Sequence, residues 1–69
     1  MDSFNIIVEC CNEVLTLLIK QYENKIIDFN TFEKHTRTKV QFMQENLSHI
    51  NHEQRKSYDE ILHKLKNMH

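Results

Sequence analysis

Apolar residues recur at intervals of three and four along the first third of the chain. Between Phe4 and Tyr22 they follow one side of a helical wheel, while polar residues occupy the opposite side. The pattern predicts a helix from Ser3, as its N-cap, to about Glu23, with Asn24 as the left-handed residue after its end. Nine positions form its predicted core face: Phe4, Ile7, Val8, Cys11, Val14, Leu15, Leu18, Ile19 and Tyr22.

Three further apolar residues of this helix, Ile6, Cys10 and Leu17, fall together on one flank of the predicted core face. A central helix that packs against two neighbours would need such a wide apolar arc. The alternative is that the flank is a surface for another protein. Phe42 is a similar outlier among polar neighbours in the second predicted helix, and an exposed aromatic residue is a common interface anchor. These four residues are therefore the candidate partner-binding residues.

A second helix is predicted to begin after a reversal of the chain. Asp28 can cap it by accepting a hydrogen bond from the backbone amide of Asn30 or Thr31. Ile27 precedes this cap and is spaced to pair with Phe32 as a hydrophobic staple. The apolar stripe of the second helix is narrower than that of the first: Phe29, Phe32, Thr36, Val40, Met43 and Leu47.

A third helix over about residues 52–66 is predicted from a capping box formed by Asn51 and Gln54, with Ser48 as a second candidate cap. Its stripe would consist of Tyr58, Ile61, Leu62, Leu65 and Met68. Helical spacing of apolar residues also continues through this break. One long helix over residues 29–66 is therefore the alternative.

The fold class that follows is all-α, with residues 1–69 forming a single helical domain. A small antiparallel three-helix bundle is expected, and a helical hairpin with one long, dimerising second helix is the alternative. The chain contains neither Gly nor Pro, so its turns must use Asn, Asp, Ser and Thr. A domain of 69 residues is only marginally stable alone, and burial against a second chain would add stability.

Charge is distributed unevenly along the chain. Residues 1–33 carry a formal net charge of −4 and residues 34–69 carry +3, whereas the whole chain carries −1. The opposite halves are expected to attract each other when the chain folds back. The balanced total gives no general attraction to nucleic acid or to an anionic membrane. Glu9 and Glu13 interrupt the apolar run, so neither a membrane span nor a signal peptide is expected, and a cytoplasmic location is predicted.

Candidate chemistry is sparse in this sequence. His49 and His52 stand three residues apart among five histidines, but a metal site needs three or four converging ligands, so neither metal nor cofactor is expected. Cys10 and Cys11 are adjacent and point about 100° apart on a helix, so they do not readily bond to each other. Cys11 is predicted to behave as a small buried hydrophobic residue. Glycine-dependent phosphate loops and nucleophile elbows are absent, and we expect no enzymatic activity.

The sequence therefore predicts a non-enzymatic protein–protein interaction module. It would act as a homodimer or as a small regulator or inhibitor of a larger protein. The alternative is a nucleic-acid-binding accessory protein, although Lys34, Arg37 and Lys39 spread around the second helix instead of forming a basic stripe. Nucleic acid is accordingly the less expected partner, and a membrane is not expected at all.

Overall fold

Three α-helices make up most of the chain. The structure, a computed structural model, describes residues 3–68. The helices are α1 (Ser3–Glu23), α2 (Phe29–Glu45) and α3 (His52–Asn67), and a short 3-10 helix (Leu47–His49) precedes α3. Helix α1 packs against both α2 and α3 and is the central helix. This arrangement confirms the predicted all-α three-helix bundle.

Aromatic contacts fix the direction of α2 relative to α1. At one end of the pair, the rings of Phe4 and Phe42 lie 6.3 Å apart. At the other end, Tyr22 stacks on Phe32 with ring centroids 4.6 Å apart. The start of α1 therefore meets the end of α2, which makes the two helices antiparallel, as predicted.

The start of α3 is held by the predicted capping box. The backbone amide of Gln54 donates to Asn51 Oδ1 over 2.8 Å, and the backbone amide of Asn51 donates to Gln54 Oε1 over 3.1 Å. Gln54 is itself buried against α1, where its Nε2 donates to Asn5 Oδ1 and its carbonyl oxygen accepts from Asn12 Nδ2. One residue thus helps to start α3 and also attaches it to the first three turns of α1.

The alternative of a single long second helix is wrong. Helix α2 ends at Glu45, and both Ile50 and Asn51 have extended backbones, with ψ of 151° and 173°. The side chain of Asn46 donates to the carbonyl oxygen of Phe42, so Asn46 caps the C-terminal end of α2. Ser48, the second candidate cap, lies inside the 3-10 helix and does not start α3. Local capping by Asn51 therefore outweighs the apolar spacing that continues through this segment.

The buried core draws on all three helices. Helix α1 contributes Val8, Leu15, Leu18 and Ile19. Helices α2 and α3 contribute Phe32, Met43, Tyr58 and Ile61. The predicted stripes of α2 and α3 supply four of these residues, whereas Phe29 at the start of α2 is exposed. None of the helices in residues 3–68 is long and apolar enough to cross a membrane.

Asp28 caps α2 as predicted. Its Oδ1 accepts a hydrogen bond from the backbone amide of Thr31 over 2.7 Å. This hydrogen bond favours the charged carboxylate and holds the pKa of Asp28 below its usual value. Ile27 is half-buried against the core that contains Phe32, which is compatible with the predicted hydrophobic staple.

Helix α1 ends at Glu23 as predicted, but the left-handed residue that follows it differs. Ser3, the first residue that the structure describes, is helical, and the chain before it, on which the predicted N-cap depends, lies outside the described residues. At the other end the left-handed residue is Lys25, with φ of 61°, and not Asn24. The amide of Lys25 donates to the carbonyl of Tyr22, and that of Ile26 donates to the carbonyl of Gln21. These two bonds form a Schellman motif with Lys25 in the position that glycine usually takes.

Replacing Lys25 with glycine is therefore expected to stabilise the protein by about 1 kcal/mol, since a side chain with a Cβ atom is strained in the left-handed region. A urea melt followed by circular dichroism measures the change in midpoint. The matched control is Asn24→Gly, which introduces the same flexibility one residue earlier and should not stabilise. A lower midpoint for Lys25→Gly, or an equal rise for both variants, would contradict this account of the α1 terminus.

Candidate functional site

Helix α1 exposes a continuous row of apolar side chains to solvent. We call this row the apolar face, and its members are Ile6, Ile7, Cys10, Val14 and Leu17. The exposed fraction is 44% for Ile6, 49% for Ile7, 37% for Val14 and 53% for Leu17. Isolated exposed apolar residues are normal on proteins, but a contiguous group on one helix is typical of an interaction surface.

The apolar face and the core occupy different arcs of the same helix. At about 100° per residue, the five members of the apolar face fall within an arc of about 100°. The core residues, among them Val8 and Leu15, lie on the arc that α2 and α3 cover. Leu18 is buried at the boundary between the two arcs. Apolar surface is thus continuous from the core to the solvent-facing side of α1.

Two residues of the apolar face were assigned to the core by the sequence. Ile7 and Val14 belong to the predicted core face, but the structure exposes both, so this prediction is wrong. The physical reason is the position of the two neighbouring helices around α1. Helix α2 packs beside Phe4 and Tyr22, and α3 packs beside Asn12, about 80° further around α1 in the direction away from Ile7 and Val14. Two helices placed in this way leave the remaining side of α1 uncovered.

The three predicted flank residues lie together on the apolar face. Ile6, Cys10 and Leu17 are all exposed, and they lie beside Ile7 and Val14 on consecutive turns. The fourth candidate, Phe42, lies on α2 and is half-buried, with its ring next to that of Phe4. Its role as an interface anchor stays a prediction, and the surface centred on α1 does not depend on it.

Charged side chains line both edges of the apolar face. Along the edge beside α2 lies Lys39, which is half-buried and whose charge partly opposes the rise in the pKa of Cys11 that burial causes. Along the other edge, the helical wheel places Glu13 and Lys20 near Ile6, and all three are exposed. The apolar face therefore has a lysine on its α2 edge and one charge of each sign on its α1 edge.

The two cysteines have different environments. Cys10 is exposed within the apolar face, whereas Cys11 is half-buried beside α2. Burial disfavours the thiolate and raises the pKa of Cys11, with Lys39 acting in the opposite direction. Cys11 fits the predicted role of a small buried hydrophobic residue, and Cys10 is the accessible thiol.

A second, smaller apolar group lies at the end of the bundle where α1 turns into α2. Ile26 and Phe29 are exposed there, and the ring of Phe29 lies 6.0 Å from that of Tyr22. The sequence pattern does not single out Ile26, because its exposure follows from the Schellman turn at Lys25. This group is confined to one turn, and the apolar face of α1 is the larger candidate.

Charged groups on α2 and α3 are mostly mixed in sign. Both arginines of the chain bind a carboxylate one turn away, Arg37 with Glu33 at 2.8 Å and Arg55 with Asp59 at 3.2 Å. These exposed pairs contribute little to stability, but they place an acidic group beside each guanidinium. Such an arrangement is less suited to phosphate binding than a stripe of unopposed cations.

Potential metal ligands do not gather within residues 3–68. No group of three or more His, Cys, Asp or Glu side chains in this part of the chain is arranged to hold a metal ion. His49 and His52 belong to different helical segments, because the extended residues Ile50 and Asn51 separate them. The two histidine rings therefore do not lie on one face of a continuous helix.

Comparison of the chain with models of protein families, with curated proteins and with solved structures finds no match.

Proposed function

We propose that the protein is a non-enzymatic protein–protein interaction module that binds through the apolar face of α1. It would act as a homodimer or as a small regulator or inhibitor of a larger protein. One observation carries the proposal: Ile6, Ile7, Val14 and Leu17 are more than one third exposed on one side of a helix whose other side supplies half of the core. Covering these side chains with protein would remove apolar surface from water, which is the main favourable term in association.

The position of this surface also favours binding. It lies on the central helix of the bundle, which two neighbours hold in place, so little conformational entropy would be lost when a partner binds. Charged side chains border it on both sides, as in interfaces that combine an apolar centre with a polar rim. A cytoplasmic location stays a prediction.

The alternative from the sequence, a nucleic-acid-binding accessory protein, has weaker support. Unpaired lysines on the exposed side of α3, such as Lys56 and Lys64, are its best candidates for phosphate contacts, and Glu60 lies between them. Salt separates the two proposals. Binding to nucleic acid should weaken steeply as salt rises, whereas an apolar protein contact should change little.

A photo-reactive amino acid at position 17 tests the proposed surface. We expect p-benzoylphenylalanine in place of Leu17 to form adducts with protein when irradiated in the cells that naturally produce the chain. The matched control carries the same group in place of Glu23, which is exposed on the polar side of the same helix. Denaturing gels and mass spectrometry identify each adduct. Adducts at position 17 alone would support the proposal, and equal or absent adducts at both positions would contradict it.

A further inference from the structure

We infer that the apolar face of α1 is covered by a second copy of this chain, with the two α1 helices packed side by side and parallel about a two-fold axis. The inference rests on the proposed function and deepens it by naming the partner. Two independent observations support it: the spacing of the residues in the apolar face, and the position of Glu13 and Lys39 on its opposite edges.

The first observation is a heptad pattern on the exposed side of α1. Ile7, Cys10, Val14 and Leu17 follow one another at intervals of three, four and three residues, which is the spacing of a two-helix seam. This pattern assigns Ile7 and Val14 to heptad position a, and Cys10 and Leu17 to position d. β-Branched residues at a with leucine at d favour two parallel strands. The residues thus match a parallel pair of helices at three of four positions.

This seam is separate from the packing inside the bundle. Cys11 and Leu18 directly follow the two d residues, and both pack within the core of their own chain. The second copy would therefore contact side chains that the bundle leaves exposed, and neither α2 nor α3 would need to move. Ile6 lies beside the seam and would be covered at its margin.

The second observation is the charge at the edges of the seam. A two-fold axis parallel to α1 brings the α1 edge of one copy, with Glu13, opposite the α2 edge of the other, with Lys39. The two ring contacts at the ends of the α1–α2 pair fix the register of these helices and place Lys39 within about one turn of Glu13, or about 5 Å along the axis. Glu13 of one copy would then lie within reach of the lysine on the other copy, twice in each dimer.

An antiparallel pair that covers the whole seam would bring like charges together. A two-fold axis perpendicular to α1 at residue 12 places each edge opposite the same edge of the second copy. Glu13 and Lys39 would then each approach their own equivalents, while Lys20, on the same edge as Glu13, would lie about 7 Å or more along the axis from the nearest glutamate of the other copy. Juxtaposed like charges oppose association. Charge and heptad spacing therefore select the same orientation.

Disulfide trapping at position 17 tests both the pairing and its direction. The variant Leu17→Cys is made in a chain that also carries Cys10→Ser and Cys11→Ser, so that it holds a single thiol. In a parallel dimer the two thiols face each other at position d, and mild oxidation with diamide should convert most of the protein to a dimer of twice 8.4 kDa. In an antiparallel dimer centred on residue 12, they would lie about 15 Å apart along the axis, too far for a disulfide.

The matched control places the thiol at position 16 of the same cysteine-free chain. Thr16 is exposed on the polar side of α1, about 100° from Leu17, so its variant should stay monomeric on a non-reducing gel. Sedimentation equilibrium of the unmodified chain should show a mass that rises from 8.4 kDa towards twice that value as concentration increases into the micromolar range.

Charge reversal gives a second test that does not use cysteine. Glu13→Lys should weaken the dimer roughly two- to fivefold without changing the circular dichroism spectrum, since the residue is exposed. Adding Lys39→Glu to the same chain should restore the original dissociation constant, because each pair then has opposite signs again. A double variant weaker than either single variant would show that the two residues do not meet and would overturn the parallel arrangement.

The outcomes separate this inference from the function on which it rests. A chain that remains monomeric at all concentrations, with no disulfide at position 17, overturns the second-copy inference. If the photo-reactive group at position 17 then captures a different protein, the proposed function still stands with a larger partner. If that group captures no protein, both proposals fall.

Discussion

Replacing Leu18 with glutamate is expected to unfold the protein, while the same replacement at the neighbouring Leu17 is expected to leave it folded. Leu18 is 8% exposed and packs in the core, whereas Leu17 is 53% exposed on the apolar face. A carboxylate buried without a partner costs several kcal/mol. A domain of this size has roughly 3 to 10 kcal/mol of total stability, so the Leu18 variant would lose most or all of it.

Circular dichroism at neutral pH distinguishes the two variants. Leu18→Glu should lose most of its helical signal, and Leu17→Glu should keep the signal and a cooperative melt. Sedimentation of Leu17→Glu should show a monomer at concentrations where the parent chain is a dimer, because a charge would enter the seam twice. Equal loss of helix in both variants would show that position 17 belongs to the core, and the proposed surface would be withdrawn.

Truncating Tyr58 to alanine is expected to have the second-largest effect. Tyr58 is the largest of the fully buried side chains, and it lies where α3 meets α2. Removing a buried aromatic side chain costs about 3 to 5 kcal/mol, because apolar contacts are lost and a cavity remains. We therefore expect Tyr58→Ala to be largely unfolded at 37 °C, as measured by urea melts or by the dispersion of amide signals in NMR spectra.

Tyr58→Phe separates the ring from its hydroxyl group. The hydroxyl accepts a hydrogen bond from Gln44 Nε2 at 2.9 Å and lies 3.5 Å from the carbonyl oxygen of Val40. Losing these contacts should cost about 1 kcal/mol, well below the cost of removing the ring. A Tyr58→Phe variant as unstable as Tyr58→Ala would show that polar contacts, and not ring packing, hold α3 in place.

Local sequence signals account for most of the fold. Asp28 and Asn51 place the starts of α2 and α3 because their side chains accept hydrogen bonds from backbone amides three residues later. Such signals act within a few residues and can be identified without knowledge of the tertiary structure. Lys25 was missed because the left-handed position is set by the hydrogen bonds of the whole last turn, and an asparagine stood only one residue away.

The surface of α1 was only partly predictable for a different reason. The wheel shows which residues of α1 are apolar, and it placed Ile6 and Leu17 on the flank where the structure has them. It does not show where α2 and α3 sit around the helix. Ile7 and Val14 were assigned to the core for this reason, although the neighbouring helices leave them exposed. Gln54 was recognised as part of the capping box, but its burial against α1 depends on Asn5, which is 49 positions away in the sequence.

The double use of Gln54 has a consequence for the order in which the chain folds. Contacts between α1 and α2 join residues on either side of a short turn, so they can form early with a small loss of chain entropy. The contact between Gln54 and Asn5 closes a much longer loop. Because the same amide group also completes the cap of α3, nucleation of this helix and its docking become one late event. The bundle should therefore assemble as a hairpin of α1 and α2 that α3 then completes.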